Sequence, residues 1–141
     1  MRVDSIKNGI VIDHITAGKA MEIYNMLELN KLSCPVALLM NVPSRIMGEK
    51  DIIKIDSADI DFDFNVLAYV SPGITVNIIR DEKLLEKKEL ELPAILTDVI
   101  KCKNPRCITT TEQEIHHIFR LTDAKKAVYR CAYCDVKYGK A

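Results

Sequence analysis

The sequence predicts an α+β chain in two parts: an N-terminal α/β sandwich, with two helices on an antiparallel or mixed sheet, and a small C-terminal all-β domain. Three observations carry this. Short β-branched runs alternate with helical stretches up to residue 93, the composition shifts there, and four of the five cysteines fall after residue 100. Of 141 residues, 20 are basic and 20 acidic, yet residues 1–93 hold 11 basic against 15 acidic side chains, net −4, and residues 94–141 hold 9 against 5, net +4. With Pro93 ending a charged stretch, the shift divides the chain into domains 1–93 and 94–141. At 48% hydrophobic and 28% charged, the chain can bury a core, and its zero net charge argues against a general nucleic-acid coat. No run approaches the ~18 apolar residues of a membrane span. The start, MRVDSIKNG, lacks the apolar region of a signal peptide, so the expected compartment is the cytoplasm, with no membrane partner.

Taken in order, Val3 to Lys7 and Ile10 to Ile15 are β-branched runs joined at Asn8-Gly9, a dipeptide suited to the positive φ angles of a hairpin turn. Thr16 can cap a helix through about Leu29, with Ala20, Ile23, Tyr24 and Leu27 along one face, and Asn30 would end it. Pro35 to Val42 and Asp51 to Ile55 read as strands, the first so continuously apolar that burial on both faces is expected. Ser57 can cap a second helix carrying Ile60, Phe64, Leu67 and Ala68, although the alternation of Asp59, Asp61 and Asp63 with apolar residues also fits a strand. Thr75 to Ile79 is a strand. From Glu82 to Leu92 propensity favours a helix, and a hairpin return strand after Asp81 is the alternative. The order β-β-α-β-β-α-β-(β) describes a ferredoxin-like sandwich.

In the second part, Cys102 and Cys107 frame CKNPRC, and Cys131 and Cys134 frame CAYC. Two close pairs can converge as a tetrahedral set of thiolates, the spacing of a structural zinc site. Each pair lies between β-like runs (DVIK and ITTT, AVYR and DVKYG), the strand-turn-strand setting of a zinc-ribbon-like domain. Four sulfurs leave no open position, so the metal would hold structure and not activate water. Four thiolates and one Zn²⁺ carry a net charge of −2, which Lys101, Lys103, Arg106 and Arg130 are placed to offset. Cys34, beside Pro35, reads as a core thiol. Asp59-x-Asp61-x-Asp63 begins like a calcium loop but has Phe64 and Val70 where that loop needs Gly and Glu. His116-His117 lacks a partner at ligand spacing. Asp13 and His14 would point to opposite faces of a strand, and no nucleophile-base pair or phosphate-binding glycine loop is present, so no active site is expected.

The run G-x-VIDHI (Gly9 to Ile15), NVPS…MG-x-KD-x-IKI (Asn41 to Ile55), SPGITVN (Ser71 to Asn77) and CKNPRC…CAYC together resemble the regulatory chain of aspartate carbamoyltransferase, in order and over nearly the whole chain. The resemblance implies a non-catalytic chain whose N-terminal domain binds ATP, CTP or UTP. It implies one structural Zn²⁺ in a C-terminal domain that docks on the catalytic chain, and a regulatory homodimer that bridges catalytic trimers in pyrimidine synthesis. Carried over by residue, it assigns Val3, Asp4, Ile6 and Val11 to the wall around base and ribose, and Asp13 to the ribose hydroxyls. Lys54 would reach base and ribose, His14 and Lys87 the phosphates, with Thr75 and Asn77 lining or supporting the pocket. Glu82 stands where an aromatic residue often lies near the base, and Arg106 replaces a small amide in the zinc loop. The rival from another class is a zinc-ribbon nucleic-acid-binding protein, suggested by the +4 tail; the resemblance implies no nucleic-acid partner.

Overall fold

The computed structural model describes residues 7–57 and 64–138. It divides into two compact units, Met1–Glu91 and Leu92–Ala141. In the first unit the elements run β1 (Gly9–Thr16), α1 (Ala20–Met26), β2 (Val36–Ser44), β3 (Gly48–Ile55), α2 (Asn65–Val70), β4 (Thr75–Arg80) and β5 (Lys83–Glu89). The strands pair antiparallel in the order β2-β3-β1-β4-β5. The first four strands with their two helices form the expected ferredoxin-like sandwich, and β5 extends one edge. Alternation decides its faces: Ile10 and Ile12 of β1, Ile53 and Ile55 of β3 and Val76 of β4 are buried with Ala20 and Ile23 of α1 and Leu67 and Val70 of α2. Val11 and Asp13, Ile52 and Lys54, and Thr75 and Asn77 therefore belong to the opposite face of the same strands.

Several expectations change. Both edges of β1 are occupied among the described residues, by β3 and β4, and neither Asn8 nor Gly9 takes the positive φ of the expected turn. Most of that expected strand, Val3 to Ile6, lies outside the described residues, as do Ile60 and the Asp59, Asp61 and Asp63 alternation. The second helix is described from Asn65, with Phe64 rather than Ser57 next to its start. β2 is not buried on both faces: it is the sheet's outer strand, and Met40 is 47% exposed. The stretch after Asp81 is the return strand and not a helix. Asp81 and Glu82 both take positive φ (51° and 64°), which gives the twist of a tight hairpin.

Asp51 organises the start of the first helix, and Thr16 does not. Its fully buried carboxylate accepts hydrogen bonds from Gly18 N–H (2.9 Å) and Ala20 N–H (3.2 Å) through Oδ2, and from Asn41 N–H (3.0 Å) through Oδ1. Those donors are the free N–H groups of a helix start and of a bulge in β2, where Asn41 has φ 61°. The helix stops at Met26, with Glu28 in the left-handed region and a single 3-10 turn over Leu29–Lys31 that contains Asn30.

The second unit contains β6 (Ile95–Thr97), the helical turn α3 (Ile108–Thr111), β7 (Ile118–Asp123) and β8 (Val128–Cys131), with the strands ordered β6-β7-β8. Leu96, Phe119 and Tyr129 form its small core, and the Tyr129 hydroxyl donates to Pro93 O at 2.6 Å. The expected strand at ITTT is α3 instead, and DVIK is not a strand. Local backbone bonds win over β propensity there: the Thr110, Thr111 and Glu112 N–H groups turn back onto Cys107 O and Ile108 O. No helix among the described residues is long and apolar enough to cross a membrane.

Candidate functional site

The four sulfurs of Cys102, Cys107, Cys131 and Cys134 all lie within 4.8 Å of one another, with Cys102–Cys134 and Cys107–Cys131 each at 3.7 Å. Those separations are far beyond the ~2.05 Å of a disulfide. They match the ~3.8 Å edge of a tetrahedron with Zn–S arms of ~2.3 Å. The donor set, the burial and the geometry fit a zinc ion. N–H groups and a hydroxyl serve the sulfurs. Burial alone would raise the Cys107 thiol, but the Thr109 hydroxyl (3.0 Å), the Thr109 N–H and the neighbouring thiols hold it lowered to about 7. Burial pushes Cys102 up to about 12 against the Asn104 N–H, and raises Cys131 against N–H groups of Cys134 and Tyr133. Burial also acts to raise Cys134, but the Val136 N–H and the Asn104 side chain lower it on balance.

Two of the flanking cations, Arg130 and Lys103, and the nearby Arg120 also make contacts of their own. Arg130 donates to Asp135 O (3.0 Å), Arg120 to the Asp135 carboxylate (2.7 Å), and Lys103 lies over the Tyr138 ring at 5.8 Å. The His pair is structural support. His117 Nδ1 accepts the Cys102 N–H at 3.0 Å, and Asp98 accepts from the His117 N–H at 2.9 Å and contacts the His116 ring at 2.6 Å. The His117 N–H, then the His116 ring, hold Asp98 below the usual carboxylate range.

On the open face of the first unit, pairing registers align Lys54, Val11, Asn77 and Lys87 as one row across β3, β1, β4 and β5, and Asp13 beside Thr75. A cavity of about 450 Å³ is lined there by Val11, Asp13, Ile52, Lys54, Ile79, Glu82 and Leu84. Four expected residues, Val11, Asp13, Lys54 and Glu82, are thus brought together, while Lys87 is exposed at the next strand and outside the wall. Val3, Asp4 and Ile6 lie outside the described residues.

Asp13 obeys strand alternation, but His14 does not. β1 holds one extra residue between Ile12 and Ile15, and His14 has φ 58°, so Ile15 and not His14 reaches the core. The His14 N–H donates to Asp13 Oδ1 (2.6 Å), and its ring meets the Thr75 hydroxyl at 3.0 Å. Asp13 Oδ1 also takes the Lys50 ammonium at 3.0 Å, with both side chains under a fifth exposed. Asn77 Oδ1 is buried without a hydrogen-bond partner, an acceptor that a ligand's donor would satisfy. Sequence reasoning missed Lys50, because only the bulge register brings it to Asp13. It also missed Ile52, Ile79 and Leu84, which look like ordinary strand residues until the register is known.

Comparison with known proteins agrees with this division. Residues 1–91 match the family model of the aspartate carbamoyltransferase regulatory chain, allosteric domain, and residues 94–141 that of its metal binding domain. Over 138 residues the chain is 54% identical to the aspartate carbamoyltransferase regulatory chain of Clostridium tetani, covering 98% of this chain and 96% of the relative. That of Clostridium acetobutylicum is 50% identical, covering 98% and 94%. That of Bifidobacterium longum is 44% identical, covering 96% of each.

Proposed function

The chain belongs to the aspartate carbamoyltransferase regulatory-chain family, and from that premise we propose that it is a non-catalytic subunit that carries an effector nucleotide and transmits its binding to a catalytic chain. The nucleotide, ATP, CTP or UTP, lies on the open face of the first unit. Asp13 accepts from the ribose hydroxyls, Lys54 serves base and ribose, and His14 and Lys87 serve the phosphates. Thr75 holds the His14 ring, and Val3, Asp4 and Ile6 complete the wall. Zn²⁺ in the four-cysteine cluster shapes the second unit, residues 94–141, which docks on the catalytic chain. Two regulatory chains pair as a homodimer in the cytoplasm, without nucleic-acid or membrane partners.

The observation that carries the nucleotide reading is the single cavity into which the registers of β1 and β3 and the β4–β5 hairpin bring Val11, Asp13, Lys54 and Glu82. These residues are spread from position 11 to 82 and share no local motif. Titration calorimetry of the zinc-loaded chain with CTP and ATP tests it. Saturable binding is expected, and absence of binding at millimolar nucleotide would remove the effector role.

A further inference from the structure

We propose that Glu82 makes the base end of this cavity select guanine, so that a guanosine nucleotide is a ligand of the first unit; the inference rests on the nucleotide reading above. Register fixes the two ends. Gly9 pairs with Ile79 and Asp13 with Thr75, four residues apart along β1, or roughly 13 Å at ~3.3 Å per residue. At the Asp13 end stand the Lys50 ammonium and the His14 ring. At the other end stand Ile79, Leu84 and the hairpin turn carrying Glu82. With His14 on the phosphates and Asp13 on the ribose hydroxyls, as in the nucleotide reading above, the base is left beside Glu82.

The backbone holds Glu82 in place. Its N–H donates to Lys7 O at 2.9 Å, and the Asp81 N–H beside it donates to Asn8 Oδ1 at 3.1 Å. The side chain's ion pair with Lys7 is long, 4.0 Å, and both partners are more than two-thirds exposed, so it competes weakly with a ligand.

An ionised carboxylate only accepts hydrogen bonds. Guanine is the one common base that sets two N–H donors, N1–H and N2–H₂, side by side, and its neighbouring O6 suits the ammonium of Lys54 on the same wall. Adenine and cytosine offer one amino donor beside an acceptor. Uracil flanks its single N–H with two carbonyls that repel a carboxylate. The ring itself would rest against Val11, Ile52, Ile79 and Leu84.

The test is calorimetry on the full zinc-loaded chain with GTP, with ITP, which lacks the 2-amino group, and with ATP. GTP should bind about tenfold more tightly than ITP, the low end for a charge-assisted hydrogen bond at an exposed carboxylate. Glu82→Gln should bring the two within about threefold while zinc content holds. Equal affinity for GTP and ITP, or a preference that survives Glu82→Gln, overturns the assignment of Glu82. If ATP binds in those same experiments, only the base selection falls. Failure of all three nucleotides to bind would remove the site itself.

Discussion

Replacing Asp51 with alanine should destabilise the first unit by about 4 kcal/mol. The carboxylate is 0% exposed and accepts three backbone N–H bonds, two from the entry to α1 and one from the bulge of β2. At roughly 1.5 to 3 kcal/mol for each hydrogen bond to a charged group, the gross loss would reach about 4.5 to 9 kcal/mol. Two terms reduce it. Gly18 and Asn41 are exposed, so water can reach their freed N–H groups, and the variant no longer desolvates a carboxylate. The Ala20 N–H is buried and keeps its full penalty. Urea unfolding followed by circular dichroism measures the change. With a slope of about 1 to 1.5 kcal/mol/M, the midpoint should fall by roughly 3 M. Asp51→Asn should lose about half as much, since its remaining oxygen can still accept from Asn41 while its amide faces the Gly18 and Ala20 donors. An alanine variant within about 1 kcal/mol of the parent chain would show that these three bonds do not hold the helix entry and the bulge.

The metal centre and the ligand face give further tests. Removing zinc with a chelator should unfold residues 92–141 while the first unit stays folded. The core of Leu96, Phe119 and Tyr129 is small, and zinc supplies on the order of 10 kcal/mol in such modules; a second unit still ordered by circular dichroism would contradict this. Zinc binding should also depend on pH. The raised thiols of Cys102, at about 12, and Cys131 are protonated without metal at neutral pH, whereas Cys107, at about 7, is largely thiolate by pH 8. Zinc binds the thiolates, so at least two protons leave, and affinity should fall about 100-fold or more between pH 8 and pH 7; competition titrations that find no change would sink the idea. Lys54→Ala should weaken CTP binding about tenfold with zinc content unchanged, and unaltered affinity would take Lys54 out of the site.

Much of this could be read from the residues. Periodicity gave the strands from Ile10, Asp51 and Thr75, and cysteine spacing gave the metal cluster, because both depend on side-chain type at short separation. What was not legible depended on tertiary context. The Leu-, Lys- and Glu-rich stretch after Asp81 has helix-forming composition, but two left-handed residues in the turn commit it to pair with β4. The apolar run at Val36 signalled burial, yet β2 is the outer strand of this sheet. The site depends on one inserted residue in β1, which turns His14 to Thr75 and carries Lys50 to Asp13; no alternation pattern announces a bulge. Asp51 and His117 look like surface polar residues in the sequence, and only the fold shows that one caps a helix start and the other props the first cysteine loop.

Nucleotide on the open face of the first unit is proposed to change a catalytic partner through a zinc-held second unit. The most direct measurement is the aspartate saturation curve of the catalytic chain reconstituted with this chain, with and without CTP and ATP, for the parent and for Lys54→Ala. Allosteric coupling of about 1 to 3 kcal/mol predicts a shift of roughly 5- to 150-fold in effective aspartate affinity at most, present in the parent and diminished in Lys54→Ala. A curve that nucleotides leave unmoved, in a complex shown to contain both chains and bound nucleotide, would contradict it.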